Sequence, residues 1–82
     1  MPRNADTDEL VRFLFTSLVD NPDDVSVTKQ SGPDGDAYEV TVNTEDIGKV
    51  IGRQGRVIKA IRTLVRASAS IDGSDASVEV LG

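Results

Sequence analysis

The chain has 82 residues, enough for one domain, with nine basic and fourteen acidic side chains and a formal net charge of −5. It contains neither cysteine nor histidine, which excludes disulfides, thiolate metal sites and a cysteine nucleophile and removes the commonest general base and zinc ligand. No run of about 18 apolar residues is long enough to span a bilayer, and residues 1–20 lack the basic start and apolar middle of a secretion signal, so a soluble, cytoplasmic protein is expected.

Residues 7–20 read as a helix. Asp6 and Glu9 have the spacing of an N-cap and its N3 partner. Leu10, Val11, Leu14 and Leu18 recur at helical spacing, and Phe13 and Phe15 widen the stripe. Asn21-Pro22 ends it, because proline disfavours a helical residue before it. Val25–Lys29 and Tyr38–Val42 each alternate with period two, and the turn cluster Ser31–Asp36 between them predicts an antiparallel hairpin. Tyr38, the one tyrosine, is expected to pack in its strand rather than to stack on a base.

Asn43 or Thr44 can cap the next helix, whose first turn carries Glu45 and Asp46, favourable beside the positive end of the helix dipole. Ile47, Val50 and Ile51 give it a short apolar face, and Gly52 stops it. Gly55 starts a longer helix running to about Ser68. On that helix Val57, Ile58, Ile61, Leu64 and Val65 share an arc of about 120°, with Arg56, Lys59, Arg62 and Arg66 on the opposite side. A loop over Ser70–Asp75 and a strand over Ser77–Leu81 follow. The order helix, strand, strand, helix, helix, strand predicts an α+β fold: a three-stranded mixed sheet with helices on one face. The last strand runs parallel to the second through a right-handed crossover.

Charge is unevenly distributed. From Ile47 to Ile71 there are six basic residues (Lys49, Arg53, Arg56, Lys59, Arg62 and Arg66) and no acid, which leaves −11 for the rest of the chain. With a Debye length of about 8 Å in physiological salt, a nearby phosphate senses this patch more than the distant acids. The plainer reading of such a face is solvation alone.

Gly52-Arg53-Gln54-Gly55 joins one helix end to the next helix start, where free backbone N–H groups and the positive dipole end favour an anion. Residues without Cβ atoms allow a sugar-phosphate backbone to approach closely. Arg53 can meet a phosphate with two donors, and Gln54 can donate or accept. A tight helix-to-helix turn needs glycines for geometry alone, so a bare G-x-x-G leaves both readings open. A nucleotide-binding P-loop would need Lys-Ser or Lys-Thr after its second glycine, where Arg56-Val57 stands.

The wider stretch Ile47-Gly48-Lys49-Val50-Ile51-Gly52-Arg53-Gln54-Gly55-Arg56-Val57-Ile58-Lys59-Ala60-Ile61 resembles the I-G-x-x-I-G-x-x-G-x-x-I signature of KH domains, and the element order resembles their bacterial arrangement. Together with Leu18-Val19-Asp20-Asn21-Pro22, it is similar to the free-standing bacterial KhpA family. The resemblance implies a single KH domain over 1–82, with an extra helix and strand at 6–31 and a KH core at 36–82. In such domains the loop clamps the backbone of about four nucleotides of single-stranded RNA. Carried over, Gly52, Arg53, Gln54 and Gly55 hold phosphates, and Lys49, Arg56 and Lys59 support them. Ile51 and Ile58 contact bases or brace the groove floor, although Ile58 and Ile61 also read as plain core. The loop at 70–75 closes one side of the groove.

The resemblance also implies self-pairing or a complex with a larger KH protein of the Jag type. It further implies a role as RNA chaperone or post-transcriptional regulator, linked to cell shape and peptidoglycan homeostasis. No cofactor, metal, membrane or small-molecule substrate is expected, and no catalysis. The competing reading is a protein-interaction module with a vestigial KH loop.

Overall fold

The computed structural model of the protein describes residues 6–81; Met1–Ala5 and Gly82 lie outside the described residues. Helix α1 spans Thr7–Leu18, and the expected cap forms: Glu9 N–H donates to Asp6 Oδ1 at 3.0 Å. The helix stops two residues before the expected end because Val19 turns extended and the next two N–H groups go elsewhere, as described below. Val11 and Phe15 are its fully buried residues, with Leu14 packed partly against them. Phe13, expected in the stripe, is 65% exposed: with the buried face centred on Val11 and Phe15, position 13 falls on the far side. Leu18 lies at the stripe's margin.

One turn of 3₁₀ helix, Pro22–Asp24, leads to β1 (Ser26–Gly32), which pairs antiparallel with β2 (Gly35–Thr41). Only Pro33 and Asp34 turn, so Ser31, Gly32, Gly35 and Asp36 of the expected loop are paired strand residues. A two-residue connection lets strands pair right up to it. After α2 (Ile47–Ile51) and α3 (Arg56–Ile71), β3 (Ala76–Leu81) runs parallel to β2, with Tyr38 opposite Val78 and Val40 opposite Val80. The sheet order β1-β2-β3 puts β2 in the centre, and the fold is the expected α+β arrangement.

The core lies between the sheet and the helices. It joins Val11, Phe15 and Val19 to Tyr38, Val40, Val42, Val50, Ile58, Ile61, Val65, Ala69, Ala76 and Val78. On α3 the buried residues are Ile58, Ile61, Val65 and Ala69, so the stripe drifts past Leu64, which is 49% exposed although the periodicity placed it inside. The helix also outruns its expected end near Ser68. Ser70 and Ile71 belong to it, and the loop contracts to Asp72–Asp75, closed by Asp72 and Ser74 N–H groups donating to Ala69 O. Thr7 Oγ and Ser68 Oγ, 2.7 Å apart, tie the start of α1 to the end of α3. Among the described residues no helix is long and apolar enough to cross a membrane.

Tyr38 is a packing residue, 1% exposed. Its hydroxyl donates to Asp8 Oδ1 from α1. Lys29, opposite it on β1, sits 3.3 Å from Asp8 and 3.5 Å from Asp36, with its ammonium 5.9 Å from the ring centre. Burial, then the Asp8 carboxylate, holds the phenol well above its ordinary pKa, while the same hydrogen bond is the main cause lowering that of Asp8. Since the sequence has one tyrosine and no tryptophan, phenolate absorbance reports this group alone. An acid whose folded pKa is raised contributes stability that is lost as pH climbs beyond its unfolded value, near 10. Alkaline titration is expected to show no phenolate at the ordinary tyrosine pKa, its signal appearing only at higher pH together with unfolding. Free titration near 10 in the folded protein would show the ring to be accessible.

Candidate nucleic-acid interface

The approach to the loop is built on a buried carboxylate. Asn43 caps the short turn Thr44–Asp46 by accepting from Glu45 N–H at 2.8 Å, and α2 follows directly. Asp46 is completely buried. Its Oδ1 accepts from Asp20 N–H at 3.2 Å, and its Oδ2 accepts from the backbone N–H and the side-chain amide of Asn21 at 3.1 and 3.0 Å. Burial works to raise its pKa, but the Asn21 and Asp20 hydrogen bonds and the nearby Lys49 outweigh it, so the carboxyl stays below the ordinary range. Lys49 Nζ completes the arrangement, 3.0 Å from Asp20 Oδ2 and 3.7 Å from Asp46 Oδ1.

Gly52 ends α2, its N–H donating to Gly48 O at 2.9 Å. With φ 80° and ψ 170° it reverses the chain so tightly that an added Cβ would lie 2.3 Å from Val57 Cγ2 and 2.8 Å from Val57 N. Arg53–Gly55 form a single 3₁₀ turn closed by Gly55 N–H on Gly52 O at 3.1 Å. Gln54 and Gly55 both take left-handed backbone, with φ 57° and 75°. For glutamine this costs about 1–2 kcal/mol, a local strain at the tip of the turn. Arg53 and Gln54 are exposed, and Arg56 Nη2 donates to Gln54 Oε1 at 3.4 Å. Gly55 is the N-cap of α3 and brings no capping side chain; Arg56 N–H turns back to Arg53 O, and no side chain caps the N–H groups that follow it in the first turn of the 16-residue helix. The turn can therefore offer an anion backbone donors, a dipole end and the Arg53 guanidinium together.

The other expected site residues fall into three groups. Arg56 and Lys59 are exposed on the outer side of α3, beside the turn. Ile51 is partly buried, while Ile58 is 5% exposed and belongs to the core, leaving little of it for a base to touch. Lys49 is held by Asp20 and Asp46 rather than standing free beside the turn. Two further arginines join the surface. Arg62 Nε donates to Val78 O of β3 at 3.3 Å, and Arg66 Nε lies 3.9 Å from Asp75 Oδ1. With Asp75, Ala76, Ser77 and Val78 they line a groove of about 230 Å³ between α3 and the β3 edge. Steps of three residues from Lys59 to Arg62 and four from Arg62 to Arg66 marked them as one polar face, but only the strand's position shows what that face overlooks. Among the described residues no group of three acidic side chains could hold a metal ion.

Two helices hinged on a G-x-x-G turn, covering a sheet whose last strand is parallel to its centre, define a KH domain. The chain belongs to the KhpA/KhpB KH-domain family, whose model matches residues 8–80. RNA-binding protein KhpA of Leifsonia xyli is 55% identical over 68 residues, covering 83% of this chain and 87% of that protein. RNA-binding protein KhpA of Clostridium perfringens is 47% identical over 73 residues, covering 89% and 97%. Among solved structures, Era of Aquifex aeolicus bound to GDP and aluminium fluoride superposes with a TM-score of 0.63 at 21% identity. That match takes in 98% of this chain and 31% of the Era chain. A structure of Era with MgGDPNP and nucleotides 1506–1542 of 16S ribosomal RNA gives 0.57 at 20% identity, covering 99% and 32%. The likeness to Era is one of fold, and this chain spans about a third of Era's length.

Two sets of variants test this geometry. Gly52→Ala must both hold a positive φ and displace Val57, and is expected to destabilise by about 2–4 kcal/mol. Gly48→Ala, in the middle of α2 with nothing within 4 Å of the added methyl, should stabilise by about 0.5–1 kcal/mol. Urea unfolding reads both, and equal effects would contradict the turn. For Asp46, a pKa lowered by folding contributes stability at pH above the unfolded value near 4, which is lost as pH falls through the folded value. Melting temperature should therefore drop below about pH 4 in the native protein. Asp46→Asn should lower it by about 5–15 °C at neutral pH and blunt that acid limb; an unchanged acid limb would show that Asp46 does not carry it.

Proposed function

We propose that this chain binds short single-stranded RNA through Gly52-Arg53-Gln54-Gly55, with Arg53, Gln54 and the first N–H groups of α3 holding phosphates. Arg56 and Lys59 add charge alongside, and Ile51 braces the groove, with Ile58 beneath it as core. The observation that carries this reading is the turn itself: a strained left-handed Gln54 and an exposed Arg53 set before a helix start that no side chain caps. The relatives named as RNA-binding proteins support it.

The cations left free near the turn are few, since Lys49 is engaged by carboxylates. Affinity of one copy is accordingly modest, and pairing with a second copy or with a larger Jag-type KH protein would raise it by avidity. Exposed Phe13, Leu64 and Ile71 supply apolar surface for such pairing. A cytoplasmic role as RNA chaperone or post-transcriptional regulator, with consequences for cell shape and peptidoglycan homeostasis, rests on the family resemblance alone.

Fluorescence anisotropy of a short unstructured RNA tests the proposal. Each neutralised phosphate contributes a slope of about −0.7 in log K against log salt, so three or four contacts give about −2 to −3. Arg53→Asp/Gln54→Asp is expected to abolish binding while melting like the native protein, because both side chains face solvent. A folded double variant that binds normally would rule out the turn as the clamp. No binding by either protein would favour a protein-interaction module acting through a larger KH partner.

A further inference from the structure

Lys49 stands between two carboxylates that differ in what they lose when it leaves. Its Nζ lies 3.0 Å from Asp20 Oδ2 and 3.7 Å from Asp46 Oδ1. Asp46 is fully buried, but besides the ammonium it holds three N–H donors from Asp20 and Asn21. The Asp20 side chain is 73% exposed, so water can solvate it once the ammonium has gone. Its position is nevertheless fixed, because the Asp20 backbone N–H is given to Asp46 Oδ1 at 3.2 Å. The hydrogen bond to Asp20, and then the charge of Asp20, are the main causes that raise the Lys49 pKa, so Asp20 is the stronger of its two partners. Side chains on a helix tilt toward its start. Asp46 precedes α2 and Asp20 is held against it, so the Lys49 ammonium is turned back, away from the G-x-x-G turn at the other end. Lys49 still precedes Gly52 by only three residues, about 4.5 Å of helix rise, which its flexible stem can span.

We propose that the Asp20 carboxylate is an internal competitor for RNA phosphate: by holding Lys49 back, it keeps one cation out of the clamp at residues 52–55 and so limits the affinity of that clamp. The proposal rests on the RNA-binding reading above and deepens it. A carboxylate and a phosphate are both anionic acceptors. An ammonium is a compact point charge on a flexible stem, and it can exchange one for the other without the planar match a guanidinium needs. The Asp20–Lys49 pair is partly exposed on both sides, and pairs of that kind hold weakly because water competes for both ions. Removing the Asp20 charge leaves the Asp46 network its three N–H donors, since the Asp20 contribution to it is main-chain. Lys49 is then free to swing toward the turn and meet a phosphate beside Arg53. Asp20 itself touches no RNA in this scheme. It is a positioning residue that acts through Lys49.

The experiment is anisotropy of the full chain with a labelled oligouridylate over a series of salt concentrations at neutral pH. Asp20→Asn and Asp20→Ser both keep the backbone N–H and lose the charge, and thermal melting confirms their fold. Glu45→Gln removes one charge from the same end of α2 and, among the described residues, breaks no ion pair, so it measures long-range repulsion alone. The neutral Asp20 variants are expected to bind about fivefold more tightly than the native protein, with a slope of log K against log salt steeper by about 0.7, one further phosphate. Glu45→Gln should change affinity by less than about twofold and leave the slope alone. In a Lys49→Gln background, the gain from Asp20→Asn should shrink to that of Glu45→Gln. Unchanged or weaker binding by folded Asp20 variants would overturn the competition. So would a gain without the steeper slope, or one that survives Lys49→Gln, since either would be repulsion relieved rather than a cation released. Absence of binding by every protein in the set would overturn the RNA-binding reading and this inference with it.

Discussion

The buried carboxylate of Asp46 is the constraint on which the arrangement of this domain depends. A charge out of water is costly unless its oxygens are paired, and removing a partner leaves the penalty in place. Here three N–H groups from Asp20 and Asn21 and the ammonium of Lys49 meet it. The three N–H donors come from the segment leaving α1, and the acceptor stands immediately before α2, which itself carries Lys49. The pairing therefore fixes where the first helix ends and where the second begins. The G-x-x-G turn hangs from the far end of α2, only five residues on, so its position is inherited from this contact.

That arrangement decides how much of the basic segment remains for a ligand. Six cations without an intervening acid look like one uniform patch in the sequence. In the fold they separate by the partners that tertiary contacts provide. Lys49 is drawn to Asp20 and Asp46, whereas Arg53, Arg56 and Lys59 stay at the turn and along the outer side of α3. Arg62 and Arg66 reach across to β3. A protein of net charge −5 can still present a local positive field, because screening weakens the influence of any acid farther than about 8 Å.

The turn combines backbone requirement with chemistry. Gly52 is needed because Val57 packs back against it, and Gln54 is held in a backbone region that a side chain disfavours. Strain of this kind persists only when surrounding structure over-determines it, and it commonly marks sites that meet a ligand. The Gly52–Val57 contact and the core position of Ile58 lock the start of α3, and the side chains of Arg53 and Gln54 stand exposed before it.

The order of elements, the parallel closing strand, the cap at Asp6 and the turn at residues 52–55 were legible in the sequence by itself. Each follows from short-range rules: apolar periodicity, capping spacing and the backbone freedom of glycine. The N-terminal helix was overextended because its end is set by Asp46, more than 20 residues away in the chain. Phe13 and Leu64 were placed inside because periodicity gives a stripe's width but not its centre, which depends on what packs against it. The engagement of Lys49 and the reach of Arg62 to Val78 were likewise invisible, since each joins residues from elements that only the folded chain brings together. Local sequence thus determined which segments form and where the G-x-x-G turn lies. Tertiary structure decided which cations remain free there and which groups line the groove, because charge pairing and groove walls are properties of distance in space.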